Sequence, residues 1–260
     1  MLKLLSARNI GLVTGFPLID AVLADFQQGK IFRDEMAHEL FYIIHKAGFS
    51  YIVRDDHTDY SSVLLFLLES KDIPGYFHIY DPPTQIINLC HRNIAEVNIR
   101  LRERVQLKFN GHEKLRTFEL PRDYRIEKIN VDNFNKLSIF NLSLAEKFWK
   151  SKSDFEANSF GFCILNEVNV PVSICYAACV VNNTAEIDVA TLPDYQRKGL
   201  ARLVVNAFVE SCINDNIVAN WDCFQDNHAS LKTAESIGFE RTMSYNFLSI
   251  FNKRKNHEKG

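Results

Sequence analysis

Between residues 185 and 214 the hydrophobic pattern changes its period. Over residues 185–191, Ile187 and Val189 alternate with Glu186 and Asp188, the signature of a half-buried strand. Leu200, Leu203, Val204, Ala207, Phe208 and Cys212 then recur at helical spacing, with Arg202, Asn206 and Glu210 between them. The intervening Gln196, Arg197, Lys198, Gly199, Leu200 and Ala201 therefore make a strand-to-helix turn. A second strand is predicted beyond the helix, at 217–224.

The same reading extends in both directions. Toward the N-terminus it predicts a helix over 11–29, with Pro17 in its first turn, Leu18, Val22, Leu23 and Phe26 on one face, and Gly29 as its stop. Short strands follow at 30–34, 39–45 and 49–54. A helix capped by Thr58 or Asp59 runs to Ser70, and a strand covers 76–80. Residues 85–99 are ambiguous and read as helix; 104–109 alternate as a strand. After Leu120 and Pro121 the rhythm restarts, which places a domain boundary there and divides the chain into 1–121 and 122–260. The second part reads as a strand at 124–129, a short helix capped by Asp132, another at 144–149, and a hairpin of 160–165 with 170–181. A tight turn at Asn182 and Asn183 leads into the strand at 185–191. A helix at 227–237 closed by Gly238 and a strand at 239–250 complete the chain.

Composition narrows the class. Hydrophobic residues make up 47% and charged residues 24% of the 260 residues, as in a globular protein with a sizeable core. A net charge of −2 and a pI near 6.5 leave no electrostatic footprint for nucleic acid. The longest apolar run, 63–68, is too short to span a bilayer, and Lys3, Arg8 and Asn9 interrupt any leader-like core. A cytoplasmic location is the expectation, with no membrane partner. Cys90, Cys163, Cys175, Cys179, Cys212 and Cys223 form no Cys-x-x-Cys pair, and four lie inside apolar patterns, as reduced core thiols do. With the eight histidines scattered, no metal is expected. The polar run Arg54, Asp55, Asp56, His57 reads as a solvated loop.

The turn at 196–201 carries the chemistry. Glycine removes the Cβ that would hold a ligand away from the main chain, and Ala201 is small for the same reason. The first amides of a helix lack internal partners and lie at its positive end, so they suit phosphate. Arg197 and Lys198 add charge of the matching sign.

Pro193, Asp194, Tyr195 and the turn that follows resemble the pyrophosphate loop of the GNAT superfamily of acyl-CoA-dependent N-acetyltransferases. Trp221, Asp222 and Cys223, then Asn227, Ser230, Gly238 and Phe239, are similar to that superfamily's asparagine-containing last helix and its closing Gly-Phe. The resemblance covers residues 124–251. Gly161, Phe162 and Cys163, with Glu186, Ile187 and the Trp-Asp-Cys strand, look like a two-domain bacterial branch with an N-terminal extension. The fold implied is α+β: a mixed, splayed sheet flanked by helices. A smaller α/β N-terminal domain, read as a degenerate copy of the same fold, precedes it.

The resemblance implies acetyl-CoA as co-substrate and a small amine as acceptor. Strands 185–191 and 217–224 would splay, with the pantetheine arm between them on the backbone of Val189 and Thr191. Amides from Arg197 to Ala201 would hold the pyrophosphate, and Asn227 and Ser230 the pantetheine side. The amine must lose a proton to attack, and Glu186 and Asp188, about 7 Å apart on one strand face, are the candidate bases. Where many relatives carry a tyrosine that protonates the leaving thiolate, this chain has Ala234; Ser230, Tyr245, Cys223 and solvent are the candidates for that role. Trp221 and Asp222 are either core or acceptor-pocket residues. A non-catalytic acyl-CoA sensor and a protein-modifying enzyme with a docking N-terminal half are the competing functions.

Overall fold

The computed structural model describes residues 2–5, 11–34, 41–53, 58–109, 115, 117–140 and 144–256. The chain divides into two compact units, Met1–Arg104 with Ser244–Gly260, and Val105–Met243. The boundary expected at 121 falls inside the second unit, because Leu115, Phe118 and Leu120 pack on that unit's core. The chain instead crosses between units within two long strands, one after Arg104 and the other after Met243. The polar run 54–57 lies outside the described residues.

The first unit contains β1 (Leu2–Leu4), α1 (Pro17–Leu23), β2 (Gly29–Asp34), β3 (Phe41–His45), β4 (Phe49–Val53), α2 (Tyr60–Glu69), β5 (Tyr76–Tyr80), α3 (Thr84–Arg92) and the first part of β6 (Val97–Phe109). The sequence reading does not include β1, and it differs from the structure at three further places. The first helix is shorter, because the Asp20 carboxylate accepts hydrogen bonds from Thr14 N–H and hydroxyl and from Gly15 N–H, which folds 14–16 back as a non-helical lead-in. Phe26, expected on its apolar face, lies beyond the helix and is 58% exposed. Gly29 opens a strand rather than ending a helix; a Cβ there would come within 2.5 Å of Ile44 O and Val22 Cγ2. Residues 85–99 split into α3 and the start of β6, where Val97, Ile99 and Leu101 alternate with Asn98, Arg100 and Arg102.

The second unit adds β7 (Tyr124–Lys128), α4 (Val131–Phe134), a 3-10 turn (Asn135–Phe140), α5 (Leu144–Lys147) and α6 (Lys152–Asn158). It continues with β8 (Gly161–Asn166), β9 (Pro171–Val181), β10 (Thr184–Thr191), a short 3-10 turn (Pro193–Tyr195), α7 (Leu200–Asn214), β11 (Val218–Phe224), α8 (His228–Ile237) and the start of β12 (Glu240–Asn252); α9 (Lys253–Asn256) follows in the first unit. The expected helix at 144–149 stops at Lys147, and α6 begins at a fresh cap, where Ser151 accepts from Asp154 N–H. The side chain of Asp132, expected as a cap, is outside the described set. Asn182 and Asn183 both adopt positive φ, 49° and 54°, as a two-residue hairpin turn demands.

Strand order is β1-β2-β3-β4-β5-β12-β6 in the first unit and β12-β6-β11-β10-β9-β8-β7 in the second. The two units repeat one plan. β3 and β4 pair antiparallel, α2 carries the chain to the parallel β5, and α3 leads to β6. β9 and β10 pair antiparallel, α7 carries the chain to the parallel β11, and α8 leads to β12. The first unit is thus a second copy of the arrangement, with its own core of Leu67, Phe77, Ile79, Ile86, Leu248 and Ile250. In the second unit Val204, Phe208 and Val209 of α7 bury against Cys175 and Ala177 of β9 and Ala219 of β11. Full burial of each such side chain is worth about 1.5–3 kcal/mol. On the opposite sheet face, Trp149 and Phe155 pack near Tyr176.

Candidate functional site

The site is built where two strands stop pairing. β10 and β11 join at three positions only, Thr184 with Val218, Ala185 with Ala219, and Glu186 with Asn220. Beyond these, β10 continues to Thr191 along β9, and β11 continues to Phe224. Backbone groups along β10 alternate between its two sides. Asn183 O accepts from Val218 N–H of β11, whereas Leu192 N–H donates to Val172 O of β9. Odd-numbered residues, Val189 and Thr191 among them, therefore direct their peptide groups into the gap.

A cleft of about 910 Å³ occupies the gap. Val189 and Thr191 form one wall, the turn from Gln196 to Ala201 its head, and Asn227 and Ser230 the facing wall. All ten residues that the sequence assigned to ligand binding thus lie on one cleft. Gly199 is the N-cap of α7, left-handed at φ 77°, and no side chain caps the helix. Arg197 is also left-handed, at φ 60°, which turns the backbone sharply on either side of Lys198. An added Cβ at residue 199 would meet nothing closer than Arg202 Nη2 at 3.6 Å, so it is the backbone conformation that calls for glycine there. Gln196 fastens the turn by donating from Nε2 to Thr191 O at 3.2 Å.

The cleft is electropositive. Arg197, Lys198, Arg202 and Lys232 line it, and no acidic residue is among its described lining. Lys198 Nζ sits 4.7 Å from the Tyr195 ring centroid, and the Arg202 guanidinium 4.2 Å from that of Phe118. Arg202, Lys232, Thr233 and Ser236 escaped the sequence reading, and Tyr195 entered it only as part of the loop motif. On α8, Ala229, Ser230, Thr233 and Ser236 form a small, mostly polar stripe opposite the apolar Leu231, Ala234 and Ile237, and that stripe was the available signal.

Two expected ligand residues also have jobs within the fold. Asn227 Oδ1 accepts from Ser230 N–H at 3.2 Å and so caps α8. Ser230 Oγ accepts from the Trp221 indole N–H at 2.9 Å. Trp221 is 3% exposed and packs edge-on against Phe239, which makes it chiefly a core residue with one edge on the cleft. Asp222 does not line the cleft; it receives Gln106 Nε2 at 3.5 Å.

Glu186 and Asp188 lie on the sheet face away from α7. Glu186, 8% exposed, occupies the last paired position before the strands part and accepts from Asn220 Nδ2 at 2.5 Å. Asp188 is held by Lys147 Nζ at 2.8 Å and by the Tyr176 hydroxyl at 2.7 Å. Burial, and after it the Asp188 carboxylate, pushes the Tyr176 phenol well above its ordinary range, so it remains a donor. Of the candidate acids, Ser230 is on the cleft, Cys223 is buried in the second unit's core, and Tyr245 is buried against Phe16 and Tyr80 of the first unit. Ala234 is fully buried and faces the core, not the cleft. Burial drives the thiol of Cys212 up to about 12 and that of Cys175 well above its ordinary value, so neither supplies a thiolate nucleophile. All six cysteines are buried and free. Among the described residues no cluster of three or more His, Cys, Asp or Glu could hold a metal ion, and no helix is long and apolar enough to cross a membrane.

The model of the GNAT acetyltransferase family matches residues 14–248, across both units, and the chain belongs to that family. Over 130 residues it is 35% identical to the uncharacterized N-acetyltransferase YdfB of Bacillus subtilis (strain 168), a match covering 50% of this chain and 49% of the relative. The chain thus spans about half the length of that relative. Among solved structures, a GCN5-related N-acetyltransferase-like protein from Streptococcus suis 89/1591 superimposes with a TM-score of 0.65 at 18% identity, over 85% of this chain and 87% of the other. A tandem GNAT protein from the clavulanic acid biosynthesis pathway gives 0.58 at 11% identity, over 86% and 83%. At such identities the likeness is one of fold.

Proposed function

We propose that the protein transfers the acetyl group of acetyl-CoA to the nitrogen of a small amine. One observation carries the reading: an uncapped helix N-terminus opens into a cleft between parted strands that is lined by four cations and by no described acid. A polyanion on a long, peptide-like arm fits such a place. Its diphosphate meets the amides at residues 199–201, and its amide-bearing arm meets the peptide groups of Val189 and Thr191 as an added strand would.

The chemistry then needs little more than placement. Holding thioester and amine together is worth about 7–11 kcal/mol. The N–H of Val189, directed into the gap, is the donor available to the developing oxyanion, worth roughly 3 kcal/mol. Glu186 is better suited than Asp188 to take the amine's proton, since Asp188 is already engaged by an ammonium and a phenol. The leaving thiolate is tolerable near neutral pH, and solvent protonates it. A second reading, acyl-CoA binding without turnover, draws on the core-facing Ala234 and on the lack of any phenol on the cleft face of α8.

The test is release of free thiol when the protein is mixed with acetyl-CoA and a panel of primary amines that includes an aliphatic amine, a diamine, an amino sugar and a dipeptide. Turnover of one of them supports the transferase. Tight acetyl-CoA binding with no turnover of any amine, peptide or protein supports the sensor. Unchanged acetyl-CoA binding in Gly199→Glu would remove the site from both.

A further inference from the structure

The last bonded pair of β10 and β11 brings together two side chains of unequal satisfaction. Asn220 has no solvent exposure. Its Nδ2 donates to Glu186 Oε2, whereas its Oδ1 has no hydrogen-bond partner. A fully buried carbonyl oxygen left unmatched is costly, and such atoms call for an explanation.

The other groups around Glu186 supply a contrast. Asp188, two residues along on the same face of β10, is met by two donors, Lys147 of α5 and Tyr176 of β9. On β9 the cross-strand partner of Glu186 is Cys179; on β11 the next residue of the same face is Asp222, to which Gln106 of β6 donates. Asn220, a carboxamide like Gln106, differs from the Lys147 ammonium in that it can also accept. Its carboxamide carries a donor and an acceptor at one end, so it bonds a carboxylate through Nδ2 or, turned over, a carboxylic acid through Oδ1. Either way one polar atom is left over, but the bond to the charged carboxylate is the stronger of the two, so losing Asn220 favours the protonated form.

We infer that Asn220 is the positioning residue of the proton-transfer step, holding the Glu186 carboxyl at the mouth of the gap both before and after it takes the proton. The inference rests on the reading of Glu186 as the base. In that step the amine lone pair forms the N–C bond to the thioester carbonyl carbon. The C–S bond breaks with its electron pair on sulfur, and the nitrogen's proton passes to Glu186. The thiolate recovers that proton through solvent, which restores the carboxylate.

The test follows the Glu186 carboxyl itself, by carbon NMR of protein labelled at the glutamate side-chain carboxyls, with the resonance assigned through its loss in Glu186→Gln. Asn220→Leu removes the donor, and the isosteric Asn220→Asp adds a like charge. Both should raise the Glu186 titration midpoint by about one pH unit or more. With whichever amine of the panel is turned over, both should lower kcat at least ~10-fold while leaving the KM for acetyl-CoA unchanged. The double variant Glu186→Gln/Asn220→Leu should lose no more than Glu186→Gln alone. An unmoved midpoint in both variants, or penalties that multiply in the double variant, would overturn the role of Asn220. Undiminished turnover in Glu186→Gln would instead overturn the reading of the base beneath it.

Discussion

Asp59 and Gly199 hold the same station in the two units, each being the N-cap of the helix that carries the chain to a parallel neighbouring strand. Asp59 closes its helix with its own carboxylate, which accepts from Ser61 N–H at 3.0 Å, Ser62 N–H at 3.4 Å and the Ser62 hydroxyl at 2.6 Å. Gly199 offers its helix no side chain at all. One turn has an internal anion seated in it and the other is open to an external one. Isothermal calorimetry should therefore find one acetyl-CoA per chain, and none in Gly199→Glu. Gly199→Ala should bind more weakly, since the left-handed backbone costs a Cβ about 1–2 kcal/mol. A stoichiometry of two would show that the Asp59 turn is not closed.

The same contrast predicts a stability effect confined to the first unit. Asp59→Ala should cost about 1 kcal/mol, the usual loss of an N-cap. The hydroxyl of Ser62, then its amide, hold the Asp59 carboxyl below its ordinary 3.8. A carboxylate lowered in the folded state stabilises above its unfolded value, and the contribution disappears as pH falls through the folded one. Wild type and Asp59→Ala should thus differ near neutrality and converge in strong acid, as read by hydrogen exchange of the α2 amides.

The second unit was more legible in the sequence than the first, and physics accounts for the difference. Around Gly199, period, turn chemistry and charge all agree, and the ten residues assigned to binding fall on one cleft. What escaped there was set by tertiary contact: Arg202 and Lys232 look like ordinary surface cations until α7 and α8 come together. In the first unit local preference misled. Gly29 reads as a helix stop, yet it is glycine because β2 passes against Ile44 and Val22. Residues 97–103 carry a strand period beside a helix, and no local signal shows that β6 runs on through both units. Nor does the sequence reveal that β12 pairs with β5, from Phe247 with Tyr80 to Phe251 with Tyr76.

His45 should make the first unit sensitive to mild acid. It is 1% exposed, with Nδ1 accepting from Ala47 N–H at 3.0 Å and Nε2 3.1 Å from Gln27 Oε1. Burial, aided by the charge of Lys46, lowers its pKa from 6.5 to about 3. Between those values the unfolded chain binds a proton that the folded chain refuses, so stability falls as pH falls, by up to about 1.4 kcal/mol per pH unit. His78, lowered to about 4 by burial and then by Arg104, adds to the slope. Exchange of β2 and β3 amides, corrected for intrinsic rates, should show that slope, and His45→Gln should flatten it. An equal slope in the variant would assign the acid sensitivity elsewhere.

Ser230 allows structural and ligand-binding roles to be separated at a single atom. Its Oγ is the partner of the buried Trp221 indole N–H, and the same residue lines the cleft. Ser230→Ala strands a buried donor, which costs about 1–3 kcal/mol with or without ligand. Ser230→Thr keeps the hydroxyl and should recover most of that stability while adding a methyl group to the cleft wall. If the serine serves only Trp221, Ser230→Ala should lower the unfolding midpoint and leave acetyl-CoA affinity as it was. If it also meets the pantetheine arm, as proposed, affinity should fall by a further 0.5–1.5 kcal/mol, roughly the net worth of one hydrogen bond. Trp221 reports on both quantities, because its indole edge is on the cleft and its ring is in the core: its fluorescence should shift on acetyl-CoA addition in wild type and on unfolding in every variant. Trp149 lies buried on the other sheet face, so the Trp221→Phe protein should lose the ligand-dependent change and keep the other.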